Sequence, residues 1–307
     1  MTKVFIDGSA GTTGLQIHER LKARQDISLL TVPEELRKDP AARQARMNEA
    51  DIVFLCLPDA AAVEAVTLVE DPGTVVIDTS TAHRVDPAWV YGFPEIGRFE
   101  AVAASRRIAN PGCHATGFIS SVYPLVRMGL LPADAPLSCF SLTGYSGGGK
   151  KMIAEYEAPG RDACLSAPAP YGLGQSHKHL PEMTKICGLT MPPVFVPIVD
   201  DYYKGMAATV PLHSSQLAGG VGMTAVRSAL REFYAGSSIV KVLPEGVSKL
   251  YADAKAGTDS LDLIVSGTED SFTVTALYDN LGKGASGAAI ENMNIVLGLK
   301  PETGLCL

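Results

Sequence analysis

The chain lacks the features that would anchor it in a membrane or staple it together. No apolar run approaches the length of a bilayer-crossing helix, so a soluble protein is expected. Its six cysteines form no C-x-x-C pair and no metal-like cluster, so they read as reduced thiols of a cytoplasmic protein. Met1-Thr2-Lys3 runs straight into a strand pattern, with no charged n-region, apolar h-region or small-residue cleavage site, so no export signal is expected. Positive charge is also short: 26 Lys and Arg against 33 Asp and Glu give a net charge of -7. That balance argues against nucleic acid or an anionic membrane surface as partner, and any anionic ligand must be held by local cations. Low-complexity linkers, internal repeats and charge blocks are absent too.

What is present is a long chain with a high aliphatic content. Its 307 residues exceed the usual size of one domain, so two domains are expected. Val4-Phe5-Ile6 is a short strand. It runs into Gly8-Ser9-Ala10-Gly11-Thr12-Thr13-Gly14 and then into a helical pattern through Leu15, His18, Leu21 and Lys22. The spacing is G-x-x-G-x-x-G, not G-x-G-x-x-G, but the physical requirement is shared: a tight turn, close backbone approach to a pyrophosphate, and a helix N-terminus aimed at it. Further strands at Ile27 to Thr31, Ile52 to Leu57 and Val75 to Asp78, with a helix at Ala60 to Val69, predict a Rossmann-like parallel sheet covered on both faces. No clean acidic residue stands where the ribose of NAD would be held. Glu34 and Glu35 could bind ribose, whereas Arg37 and Lys38 could bind a 2′-phosphate, so NADP(H) is the expected cofactor.

Asn110-Pro111-Gly112-Cys113 lies between a predicted strand (Arg107 to Ala109) and a predicted helix (His114 to Met128). A cysteine at a helix mouth meets unpaired N–H groups and the positive end of the macrodipole, which favour a thiolate and hence a nucleophile. A lone cysteine is more often a small core residue, but only Cys113 follows such a turn. Two of six histidines stand together in His177-Lys178-His179-Leu180-Pro181-Glu182. Read as an extended segment, it puts both imidazoles on one face, and Pro181 could open a helix with Glu182 in its first turn. Zinc is the rival reading of this cluster, or of Cys113-His114, but no second Cys/His set supplies the remaining ligands. His18, His83 and His213 read as surface or satisfied core histidines. Arg84 follows the fourth strand at the carboxyl edge of the sheet, where its guanidinium suits a phosphate.

Four segments together resemble the N-acetyl-γ-glutamyl-phosphate reductase family, in its shorter branch. They are Gly8-x-x-Gly11-x-x-Gly14, Tyr91-Gly92-Phe93-Pro94-Glu95, Asn110-Pro111-Gly112-Cys113 and the run from Asp279-Asn280-Leu281-Gly282-Lys283-Gly284 to Ala289. The sister family, aspartate-semialdehyde dehydrogenase, typically has Asn where this chain has Gly112. The resemblance implies NADP-dependent reduction of N-acetylglutamyl phosphate to the semialdehyde, with release of inorganic phosphate, in arginine biosynthesis. It further implies attack by Cys113, a thioester, and one of His177 and His179 as acid/base while the other holds substrate or orients its neighbour.

By the same resemblance, Gly8, Ala10, Gly11, Thr12, Thr13, Gly14, Ser80, Ser146, Gly147 and Asn280 are expected at the cofactor, Arg84, Asn110 and Glu182 at the substrate, and no metal is expected. The expected architecture is α/β: residues 1–112 with about 283–307 form the NADP-binding Rossmann domain. Residues 113–282 form a second α+β domain with a mostly antiparallel sheet, for catalysis and dimerisation. A homodimer or homotetramer is implied. Two alternatives remain: aspartate-semialdehyde dehydrogenase, which would pair a free substrate ammonium, and a non-catalytic Rossmann-type metabolite sensor.

Overall fold

The computed structural model describes residues 1–307. The chain divides into two compact units: Met1–Gly112 with Ala285–Leu305, and Cys113–Gly284 with Cys306–Leu307.

In the first unit, β1 (Thr2–Asp7), α1 (Thr12–Lys22), β2 (Ile27–Leu30), α2 (Pro40–Glu49), β3 (Ile52–Leu55), α3 (Asp59–Thr67) and β4 (Val75–Asp78) alternate in sequence. They are followed by β5 (Val90–Tyr91), α4 (Phe99–Ala104) and β6 (Arg107–Ala109). All pairings are parallel, in the order β2-β1-β3-β4-β6-β5. Successive side chains of a strand point to opposite faces, so β1 feeds two cores. Val4 and Ile6 join Ile17, Leu21, Ile52 and Phe54 on one side, whereas Phe5 joins Met47, Val53, Leu55 and Ala62 on the other. α2 and α4 are elements that the periodicity does not announce. Asp39 caps α2, accepting from Ala42 N at 2.8 Å, and Pro40 occupies its first turn.

In the second unit, α5 (Cys113–Arg127) leads to β7 (Ser138–Gly144), α6 (Gly149–Tyr156), β8 (Ala169–Pro170), α7 (Leu180–Cys187), β9 (Val194–Asp200) and β10 (Met206–His213). Then come α8 (Met223–Phe233), β11 (Val240–Val242), β12 (Leu261–Gly267) and β13 (Ser271–Tyr278). The sheet is mixed and mostly antiparallel, in the order β11-β12-β13-β10-β7-β9-β8, with parallel pairs at β11/β12 and β7/β9. α5 and α8 cover one face, and Phe140 and Val194 are exposed at 43 % and 57 %. The glycines after β7 make a tight turn at Tyr145–Gly148 that leads into α6. The chain returns to the first unit as α9 (Gly287–Val296), which packs against α1 and α4.

Candidate active site

The turn after β1 has the form of a phosphate cradle. Gly8 takes φ +86°, and a Cβ there would lie 2.3 Å from the Cys56 carbonyl oxygen. A Cβ on Gly14 would lie 2.4 Å from the Gly8 oxygen, so the backbone closes more tightly than any side chain allows. Gly11 N donates to Gly8 O at 2.9 Å. α1 starts behind Gly11 with no side-chain cap and no acidic residue in its first turn. The first-turn amides of Thr12, Thr13 and Gly14 therefore have no intrahelical acceptor and meet the positive end of the dipole.

Beside the turn is a cavity of about 490 Å³, whose lining includes Gly8, Ala10, Gly11, Thr31, Arg37 and Lys38. Arg43 of α2 lines it as well. Its Nε and one terminal nitrogen grip the Asp7 carboxylate at 2.8 to 3.2 Å, both residues being buried. Arg37 pairs with Glu34 at 2.6 Å. These residues suit a dinucleotide: glycines at the pyrophosphate, and Arg37 and Lys38 as cations beyond the end of β2, where a 2′-phosphate is read.

The segment after β4 is tied to itself. Ser80 donates its hydroxyl to Asp78 Oδ2 at 2.6 Å and its amide to Oδ1 at 2.9 Å. His83 Nδ1 lies 2.7 Å from the same Oδ2, with its ring stacked on Trp89 at 4.1 Å, so this histidine is a satisfied core residue. Buried Arg84 donates from Nε to Asn110 O at 2.9 Å and from a terminal nitrogen to Thr79 O at 3.0 Å. Asn110 is equally engaged: its Nδ2 donates to Ala285 O, and its Oδ1 accepts from Asn292 Nδ2. In this unit Ser80, Arg84 and Asn110 brace the strand ends.

In the second unit, Cys113 is the first residue of α5 and half-buried. His177 and His179 do not lie on an extended segment. Leu180 N donates to His177 O at 3.0 Å and His179 sits in the helical region (φ -86°, ψ -13°), so the chain turns there into α7. The turn still brings the rings together, with centroids 4.8 Å apart. His177 Nδ1 accepts from His179 N at 3.3 Å. Glu182, buried in the first turn of α7, lies 3.9 Å from His179 Nε2.

A third imidazole, absent from the sequence-derived site, completes this cluster. The His114 ring lies 5.5 Å from that of His177 and 5.6 Å from that of His179. Its Nδ1 is 2.7 Å from Ser141 Oγ and its Nε2 is 2.7 Å from the Tyr171 hydroxyl. Both nitrogens are thus occupied, which overturns a Cys113-His114 metal pair. Burial, then the His177 and Lys178 charges, pull the His114 imidazole down to about 3. Burial and then Lys178 pull His177 down to about 4. Both rings are neutral near pH 7. Burial alone pushes the Cys139 thiol up to about 12, and burial, joined by the Asp78 and Asp7 charges and opposed only by a hydrogen bond with Thr79, pushes Cys56 up to about 12 as well. Neither can serve as a thiolate.

The remaining expected positions also converge within this unit. Asn280 Nδ2 donates to Ser146 Oγ at 2.9 Å, Asn280 Oδ1 accepts from Gly205 N at 2.8 Å, and a Cβ on Gly147 would lie 3.6 Å from Asn280 Nδ2. Asp279 holds the loop that presents Asn280, accepting from Leu281 N at 2.8 Å and Gly257 N at 2.6 Å.

A dinucleotide cradle on one unit and a helix-terminal cysteine with an imidazole cluster on the other define the class: a nicotinamide-dependent oxidoreductase of aldehydes. Residues 4–104 match the family described as "Semialdehyde dehydrogenase, NAD binding domain" and residues 113–280 match "Semialdehyde dehydrogenase, dimerisation domain". An N-acetyl-gamma-glutamyl-phosphate reductase from Brucella ovis is 48% identical over 306 residues, spanning 96% of this chain and 99% of that one. "N-acetyl-gamma-glutamyl-phosphate reductase 2" of Pseudomonas putida is 46% identical, spanning 96% of each. Among solved structures, aspartate semialdehyde dehydrogenase II of Vibrio cholerae shares the fold with a TM-score of 0.74 at 15% identity, over 97% of this chain and 98% of that one. The chain belongs to the N-acetyl-gamma-glutamyl-phosphate reductase family of semialdehyde dehydrogenases.

Proposed function

We propose that this protein reduces N-acetyl-L-glutamyl 5-phosphate to N-acetyl-L-glutamate 5-semialdehyde and phosphate, using NADPH, as a step of arginine biosynthesis. The observation that carries this reading is Cys113 at the start of α5, in the unit where His177, His179 and Glu182 cluster. Its substrate comes from the name shared by relatives nearly half identical over almost the whole chain.

Cys113 attacks the acyl carbonyl, and phosphate leaves as the thioester forms, so one hard reduction becomes two easier steps. The dinucleotide, when bound, supplies the hydride that reduces the thioester carbon. His179 is the acid/base. The buried Glu182 carboxylate beside its Nε2 orients the ring, the role a carboxylate plays toward histidine in hydrolytic triads. Glu182 thereby acts through His179 instead of on the substrate. His177 accepts at Nδ1 from the backbone, which leaves its proton on Nε2 as a donor toward the departing phosphate or the oxyanion.

Gly8, Ala10, Gly11, Thr12, Thr13 and Gly14 hold the pyrophosphate, with Arg37 and Lys38 selecting NADP. Ser146, Gly147 and Asn280 are the second unit's candidate cofactor residues, held together by the Asn280–Ser146 hydrogen bond. Ser80, Arg84 and Asn110 shape the loops that border substrate and cofactor. A homodimer or homotetramer built through the second unit fits the family description of that region.

The test is NADP reduction in the presence of phosphate with N-acetylglutamate semialdehyde or with aspartate semialdehyde, each repeated with NAD. Turnover confined to the acetylated substrate is expected. Turnover with aspartate semialdehyde alone would move the chain to the sister activity, and no turnover with either would leave a sensor.

A further inference from the structure

The first turn of α5 is not closed by backbone alone. In a regular helix the N–H of residue 117 bonds directly to the carbonyl of residue 113. Here the Tyr278 hydroxyl joins that pair, accepting from Gly117 N at 3.1 Å and donating to Cys113 O at 2.6 Å. Tyr278 is the last residue of β13 and fully buried, so its hydroxyl is carried to this point by a rigid sheet.

The surroundings are shaped to admit it. A Cβ on Gly117 would lie 2.6 Å from the Tyr278 hydroxyl and 2.5 Å from the Ala208 Cβ, so no other residue leaves room for the phenol. On the other side, a Cβ on Gly284 would lie 3.2 Å from the Cys113 Cβ and 3.4 Å from the Tyr278 ring. A side chain at position 284 would thus crowd both the Cys113 Cβ and the phenol ring. The phenol stays protonated, because burial, then the Cys113 and Cys139 charges, push it well above its ordinary value.

We propose that Tyr278 is a positioning residue for the nucleophile, its hydroxyl setting the first turn of α5 and with it the direction and ionisation of the Cys113 thiol. The proposal rests on reading Cys113 as the nucleophile. Side chains or waters inserted into the helical ladder open the turn and re-aim its groups. The hydroxyl proton also caps the carbonyl oxygen of the cysteine itself, whose lone pairs would otherwise repel a thiolate. Tyr278 is followed directly by Asp279 and Asn280, so one strand end aims both the thiol and the Asn280 cluster.

Tyr278→Phe keeps the ring and removes the hydroxyl. The readout is the pH dependence of Cys113 alkylation by iodoacetamide, followed by peptide mass spectrometry to separate it from the exposed Cys164 and Cys306. His114, Cys139, Tyr171, His177, Lys178, His179 and Glu182, the other ionisable groups around this cluster, are unchanged by the substitution. The alkylation midpoint should rise by roughly half a unit to one unit. kcat should fall about 10- to 100-fold, as expected for a misplaced reacting atom, with KM for NADP unchanged. A wild-type midpoint overturns the proposal, whatever happens to kcat.

Should Tyr278→Phe fail to fold, 3-fluorotyrosine placed at position 278 alone keeps shape and hydroxyl while making it a stronger donor. The midpoint should then fall, and no movement overturns the proposal. The reading of Cys113 is tested separately, because Cys113→Ser that retains turnover defeats it without reference to Tyr278.

Discussion

The Glu182 carboxylate lies 3.9 Å from Nε2 of His179, three residues apart at the start of α7 and both buried. A buried carboxylate beside an imidazole fixes the ring's orientation and stabilises the imidazolium that proton transfer creates. His177 is held differently: its Nδ1 accepts the His179 backbone N–H. The proposed division of roles between the two histidines rests on this difference.

Exchanging His179 for Asn should lower kcat on the order of 10²- to 10⁴-fold, whereas His177→Asn should mostly raise KM for phosphate and the acyl substrate. Glu182→Gln should reproduce a large part of the His179 loss while leaving KM for NADP in place. Steady-state kinetics of the three variants check this, and equal losses at both histidines would remove the division.

Cys113→Ser should abolish phosphate-dependent aldehyde oxidation and leave NADP affinity within a few-fold. Fluorescence titration of the dinucleotide gives the second half of that statement. Retention of most turnover would take the thiol out of the mechanism.

Arg37→Ala should raise KM for NADP by about 10- to 100-fold, the worth of one hydrogen bond to a charged group, and leave KM for NAD within a few-fold. A parallel rise for both dinucleotides would place Arg37 away from the 2′-phosphate. Gly14→Ala should weaken both dinucleotides together, since its Cβ would strike the Gly8 carbonyl and open the cradle.

Acid should destabilise the second unit. His114 and His177 are held neutral, at about 3 and about 4, while the unfolded chain protonates both near their ordinary value. Between about pH 4 and 6.5 the unfolded state therefore binds up to about two more protons, so stability rises with pH there and is lost as pH falls toward the folded values. Urea unfolding across that window should show this slope. His114→Gln, which can keep hydrogen bonds to Ser141 and Tyr171, should reduce it by about one proton, and an unchanged slope would show that His114 does not titrate this way.

Local pattern decided much of this protein. The strand, glycine turn and helix at residues 4–22 follow from side-chain period and the steric demands of Gly8 and Gly14. The alternation through Val75 implies a parallel sheet, and the Asn110-Pro111-Gly112-Cys113 turn sets a thiol at a helix start. Each depends on neighbours within a few positions, where backbone geometry relates sequence directly to shape. His114, Arg43 and Tyr278 were decided only by tertiary structure. His114 looks like an ordinary helix residue until α7 and β7 bring His177, His179 and Ser141 against it. Arg43 could have been reached through the Asp39-Pro40 start signal of α2, but its grip on Asp7 joins positions 36 apart. Tyr278 and Cys113 are 165 positions apart, and no periodicity can place a phenol hydroxyl in a helical turn that distant. Such contacts are set by how the sheet and helices pack in space, and only the folded chain determines that.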